Sequence, residues 1–134
     1  MKKYSLLYIS LGLVAIFSLL HFFALAFYLY WTVWWFDNLM HFFAGFIGGL
    51  IIVWFLLDSN IFYKHPTSMF LSFLIVLASA FIVGVAWEIF EYVNDIARST
   101  EAYAPDTFRD IVLDVLGATL ASLIGFKQIF RTEN

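Results

Sequence analysis

Three pairs of ionisable residues carry most of the chemistry this chain can do: Asp37 with His41, Glu88 with Glu91, and Asp110 with Asp114. Spacings of three and four place both members of each pair on one face of a helix. One imidazole among carboxylates is a hard, oxygen-rich donor set, suited to Mg²⁺, Mn²⁺, Ca²⁺ or Zn²⁺. Crowded carboxylates need not all ionise, so the same groups also suit general acid/base work. His41, Glu88 and Asp114 are the catalytic candidates. His41, Glu88, Glu91, Asp110 and Asp114 are the candidate metal ligands. Arg109 and Asp37 are candidates for substrate binding, because a guanidinium grips phosphate or carboxylate bidentately. There is no cysteine, no serine in a nucleophile motif and no glycine-rich phosphate loop.

The elements that must position these groups are membrane spans. Of 134 residues, 63% are hydrophobic and only 13% charged, against about a quarter charged in ordinary soluble domains. Mean hydropathy is +0.90. A net charge of −3 argues against nucleic-acid binding. Crossing a hydrocarbon core takes about 20 apolar residues as a helix. Four runs qualify, at approximately 4–30, 36–57, 68–93 and 108–126, and predict an all-α integral membrane four-helix bundle, one transmembrane domain over 1–134. Lys2, Lys3 and Ala24-Leu25-Ala26 imitate a signal peptide, but the apolar stretch exceeds the usual h-region of about 7–15 residues and reads as an uncleaved span. Asp58-Ser59-Asn60 closes the second run, Thr67 or Ser68 caps the third, and Thr107-Phe108-Arg109-Asp110 fits a capping box at the fourth.

If the four runs alternate, Lys2, Lys3, Lys64, Lys127 and Arg131 share one side, against Arg98 and Arg109 on the other. The positive-inside rule then places both termini in the cytoplasm of a bacterial cell, with the chain multi-pass in the cytoplasmic membrane. Eight of the ten acids fall in the outer half. Tyr28, Tyr30, Trp31, Trp34, Trp35, Trp87 and Tyr92 read as an outer aromatic belt, and Tyr4, Tyr8, Trp54 and Tyr63 as an inner one.

Small residues at spacing four mark helix contact faces in lipid. They are Gly45 with Gly49, Ala44 with Gly48, Ala80 with Gly84, and Gly117 with Ala121 and Gly125. Each row runs outward into ionisable side chains. His41, Glu88 and Asp114 then lie about 6–11 Å below the helix ends, at about 1.5 Å per residue, with Asp37, Glu91 and Asp110 about a turn shallower. Ionisable groups at depth are costly unless paired or wetted, so they mark function. Plainer roles suit others: Asp37 as a cap, Asp106 and Asp110 as first-turn acids, Asp95 and Glu101 as solvated loop residues. His21 suits a hydrogen bond to a neighbouring helix, and His65 a loop.

The strings Phe36-Asp37-Asn38-Leu39-Met40-His41-Phe42-Phe43-Ala44-Gly45-Phe46, Trp87-Glu88-Ile89-Phe90-Glu91-Tyr92 and Asp106-Thr107-Phe108-Arg109-Asp110-Ile111-Val112-Leu113-Asp114-Val115-Leu116-Gly117-Ala118 resemble the VanZ-like and YjdF-like small bacterial membrane proteins. In that group D-x-x-x-H, E-x-x-E/Q and D-x-x-x-[DN]-x-x-G-A elements follow one another on successive spans. The resemblance covers about residues 33–125. It implies a compact helical membrane bundle with Asp37, His41, Glu88, Glu91, Asp110, Asp114 and Gly117 as its motif positions. For VanZ itself it implies an association with low-level teicoplanin resistance. Asp114, where VanZ-like members often carry Asn, and Glu91, where Gln is common, place the chain nearer the YjdF-like branch.

Three functions compete. The first is an outward-facing pocket that binds or acts on a cell-envelope component such as a lipid head group or envelope precursor; as an enzyme it would be a metal-assisted hydrolase or transferase on a lipid-linked phosphate. The second is a proton- or cation-coupled carrier working as a homo-oligomer, disfavoured because polar groups thin out below Gly84 and Gly117. The third is a non-catalytic membrane assembly factor.

Overall fold

A computed structural model describes residues 5–59, 61, 68–96 and 102–132. Those residues form five helices and no strand: α1 (Ser5–Ala26), α2 (Leu29–Thr32), α3 (Phe36–Leu57), α4 (Met69–Asn94) and α5 (Tyr103–Thr132). Three of them, α1 over Leu6–Ala26, α3 and α4, are long and apolar enough to cross a membrane. The expected run 108–126 lies inside α5 but is not one of these three. Asp106, Arg109, Asp110 and Asp114 load its first half with charge. Lys2, Lys3, Tyr4, Asn60, Tyr63, Lys64, His65, Thr67, Arg98 and Glu101 fall outside the described residues.

Helix boundaries follow local chemistry. The first expected run, 4–30, holds a span but ends earlier than expected, because Tyr28 adopts a left-handed φ of 58° between α1 and the single turn of α2. Ser68 caps α4, its hydroxyl accepting from Leu71 N–H at 3.2 Å. Asp95, at φ 56°, ends α4, and Asp is one of the few non-glycine residues that tolerate this geometry. Residues 36–57 match the expected second run, with Asp58 as its C-cap. The fourth run departs most: α5 starts at Tyr103, five residues before the expected span. Pro105 falls in its first turn, where the missing N–H has no intrahelical partner to lose. Thr107 is therefore inside the helix and forms no capping box.

Packing is led by α3 against α5. A Cβ at Gly117 would collide with the backbone of Phe42 and Phe46, and one at Gly45 with the backbone of Asp114. One at Gly49 would lie 2.8 Å from Ala121 Cβ, and one at Gly125 2.8 Å from Val53. The two helices thus touch backbone to backbone along the expected small-residue rows. α4 packs on both, and α1 on α3. Leu50, Val53, Val76, Ala118 and Ala121 form the buried core. Ala44 and Gly48 depart from the expected contact face: Ala44 is exposed, a Cβ on Gly48 would meet nothing within 4 Å, and both residues line a cavity.

Gly117→Val should separate α3 from α5 and destabilise the fold by about 3 kcal/mol or more, because the obstruction is backbone and cannot rotate away. Gly12→Ala, where a Cβ meets nothing, should leave the protein as stable or slightly more stable, since alanine is the better helix former. Thermal unfolding of both variants in detergent checks the contrast, and equal midpoints would refute the close contact.

Candidate functional site

The backbone contact between α3 and α5 brings His41 of the first and Asp114 of the second together. Asp114 is held from two sides. Its backbone abuts Gly45, and its Oδ2 lies where a Cβ on Gly84 of α4 would be 2.6 Å away. His41 Nδ1 meets that Oδ2 at 3.3 Å, an imidazole hydrogen bond that fixes the ring. The other ring nitrogen, Nε2, faces Asp37 Oδ1 at 3.8 Å and Glu88 Oε1 at 3.7 Å. Those separations are too long for hydrogen bonds. They suit donors arranged around a shared ion, since metal–ligand bonds run about 2.0–2.6 Å.

Two buried carboxylate oxygens have no hydrogen-bond partner among the described residues, Glu88 Oε1 and Asp110 Oδ1. Glu88 is 5% exposed and Asp110 2%. An uncompensated buried carboxylate is expensive, so unpartnered oxygens here point to a ligand. Glu88 is aimed by its other oxygen, which accepts from the Thr107 hydroxyl at 2.7 Å. The Tyr103 hydroxyl adds a bond to the Glu88 backbone carbonyl at 3.3 Å. One donor atom each from Asp37, His41 and Asp110 lies within 4.8 Å of the others, and the same is true of His41, Glu88 and Glu91. His41 belongs to both sets.

The structure therefore gathers Asp37, His41, Glu88, Glu91, Asp110 and Asp114 into one cluster, and separates their parts. Asp114 holds one side of the imidazole at Nδ1, while Asp37 and Glu88 face Nε2. Arg109 takes a different place. Its Nε donates to Asn38 Oδ1 at 2.8 Å and its Nη2 pairs with Asp106 at 2.6 Å, tying α5 to α3. It does not line the cavity. Asp37 acts as no cap; the N-cap of α3 is Trp35, without a side-chain bond. The sequence offered Thr107 only as a capping residue and gave Asn38 no role. Thr107 carried a usable signal, since 107, 110 and 114 share one helical face.

Beside the cluster lies a cavity of about 440 Å³ between α1, α3 and α4. Asp37, His41, Glu91 and Asp114 stand at one end, and apolar and small side chains line the remainder. His21 and Tyr30 also face it, joined by a 2.6 Å hydrogen bond between Nδ1 and the phenol oxygen. Burial, followed by the charges of Asp37 and Glu91, raises the Tyr30 pKa well above the ordinary range, so on α2 it is a neutral phenol.

A family model described as "Predicted membrane protein (DUF2238)" matches residues 1–131, and the chain belongs to that family. It is a membrane protein whose apolar helices contact the lipid bilayer. No curated protein and no solved structure matches it.

Asp110→Asn should leave the metal-free protein as stable as the parent or more stable, because it removes a buried charge whose oxygen lacks a hydrogen-bond partner. Thr107→Ala should cost about 1–3 kcal/mol, the range for a hydrogen bond to a charged group. Thermal midpoints measured in chelator test this opposition of sign.

Proposed function

We propose that the cluster holds a divalent cation and, through it, binds the phosphate of a lipid-linked envelope component. The observation that carries this reading is Glu88 Oε1, buried, without a hydrogen bond and facing His41 Nε2, together with Asp110, whose buried Oδ1 is likewise without a hydrogen bond and which shares a donor set with Asp37 and His41. Asp37 and Glu91 complete the donors, and the Asp114 carboxylate, bonded to Nδ1, orients the imidazole so that its other nitrogen faces the ion. A pocket of acids repels phosphate by itself. A bound cation inverts that field and gives a phosphate oxygen a place to land. The chemistry such a centre supplies is Lewis-acid activation for hydrolysis or transfer at the phosphate.

In this reading α5 also crosses the bilayer, giving four spans in one domain with both termini in the bacterial cytoplasm and the acidic end outward. The motif resemblance to VanZ-like and YjdF-like proteins supports a role at the cell envelope. The apolar lining of the cavity favours this over a carrier, since it continues the acidic end into a greasy space and not into a polar path.

Purified protein should bind one Mn²⁺ per chain, read by electron paramagnetic resonance. Glu88→Gln and Asp110→Asn should each weaken binding at least tenfold, and ethyl phosphate should perturb the Mn²⁺ spectrum of the parent alone. Absence of stoichiometric Mn²⁺ binding by the parent would refute the reading.

A further inference from the structure

The cavity has a shape and an opening that the cation cluster does not explain. Along α3 its lining runs from Asp37 to Ile52, a rise of fifteen residues and so about 22 Å. All its carboxylates lie at the His41 end. At about 440 Å³ it has the size of a small-molecule site. A compact polar solute would leave most of this length filled with nothing that matches it.

The cavity also faces the surrounding lipid. α1 packs on α3 and α4 on α3 and α5, whereas α1 and α4 make no substantial contact with each other. The space between them is the cavity. Its walls there are exposed: Val83 is 66% accessible, Phe90 47% and Leu25 41%, although all three line it. Gly48 supplies a third observation. Gly45, Gly49, Gly117 and Gly125 are glycine because a helix or side chain presses on them, but nothing presses on Gly48. The space beside it is cavity.

We infer that the cavity is a tail site: it takes the hydrocarbon chain of a membrane amphiphile, admitted from the bilayer between α1 and α4, with Gly48 leaving room for the chain and the head group at His41. The inference rests on the proposed function only for the identity of the head. The chain's place follows from the lining, the lateral opening and the unfilled position at Gly48. A long-chain alkyl phosphate is the simplest ligand that combines both ends.

The test uses dodecyl phosphate carrying a diazirine near the end of its chain, photolysed with the full protein in phosphatidylcholine vesicles and mapped by mass spectrometry. Adducts on Ile52 and Ser79, which line the end away from His41, should fall at least tenfold when excess unlabelled dodecyl phosphate competes, and should be unaffected by ethyl phosphate. Adducts on Ile82, which is 65% exposed and lies outside the cavity lining, should not be competed. Gly48→Phe should lower the competable adducts at least tenfold while Mn²⁺ binding persists. Val83→Trp, filling the space from α4, should do the same, and Gly48→Ala should behave as the parent. Competable cavity adducts without Mn²⁺ binding would keep the tail site and overturn the cation-held head. Mn²⁺ binding with cavity adducts no more competable than those on Ile82 would overturn the tail site and leave the head reading standing.

Discussion

The site depends on one steric fact, the contact of α3 with α5 at the level of their backbones. Glycine at 45 and 117 lets the main chain of Asp114 lie against α3, with His41 one turn above Gly45. In lipid no hydrophobic drive holds two helices together, so close packing of small residues must supply the attraction. The same closeness decides the chemistry. With larger residues at 45 or 117, the imidazole and the Asp114 carboxylate would be separated by at least the width of a side chain, and the 3.3 Å contact would be lost.

Gly84 extends this constraint to a third helix. Asp114 Oδ2 occupies the place that a side chain at 84 would take, so α4 approaches α5 over a carboxylate and not over an apolar knob. Glu88 stands one turn further along α4, and Thr107, on the N-terminal continuation of the Asp114 face, reaches across to it. The cluster is thus built by packing, and its electrostatic cost falls on the same contact. Two carboxylate oxygens remain buried without a hydrogen-bond partner. A fold stabilised for its own sake would place neutral amides there, and that preference for charge is the physical argument for a ligand.

Much of this geometry was legible in the sequence because it rests on spacing. The ends of α3, and the use of Gly45, Gly49, Gly117, Ala121 and Gly125 as contact faces, follow from hydropathy and from the period of four. The gathering of His41, Glu88 and Asp114 follows from polar stripes that continue those rows. What could not be read depended on individual backbone angles and on competition between local and tertiary bonds. The left-handed turn at Tyr28 splits an uninterrupted apolar run, which hydropathy does not register. Thr107 has the spacing of a capping residue, yet a helix start at Tyr103 frees its hydroxyl for Glu88. Arg109 looked available for an anion, but Asp106 and Asn38 engage it.

Ala44 and Gly48 show most clearly where pattern and function part. Small residues at spacing four on one helix describe a surface that something can approach closely, without saying what approaches. On the face carrying Gly45 and Gly49, it is α5. On the face carrying Ala44 and Gly48 no helix arrives, because α1 and α4 lean on α3 from either side without closing over it. In an aqueous protein such an apolar cleft would collapse or be covered. In a bilayer the neighbouring solvent is itself made of chains that fit the cleft, so it can stay open at little cost. The acids at one end turn that opening from a packing defect into a site with direction, polar at His41 and apolar toward Ile52.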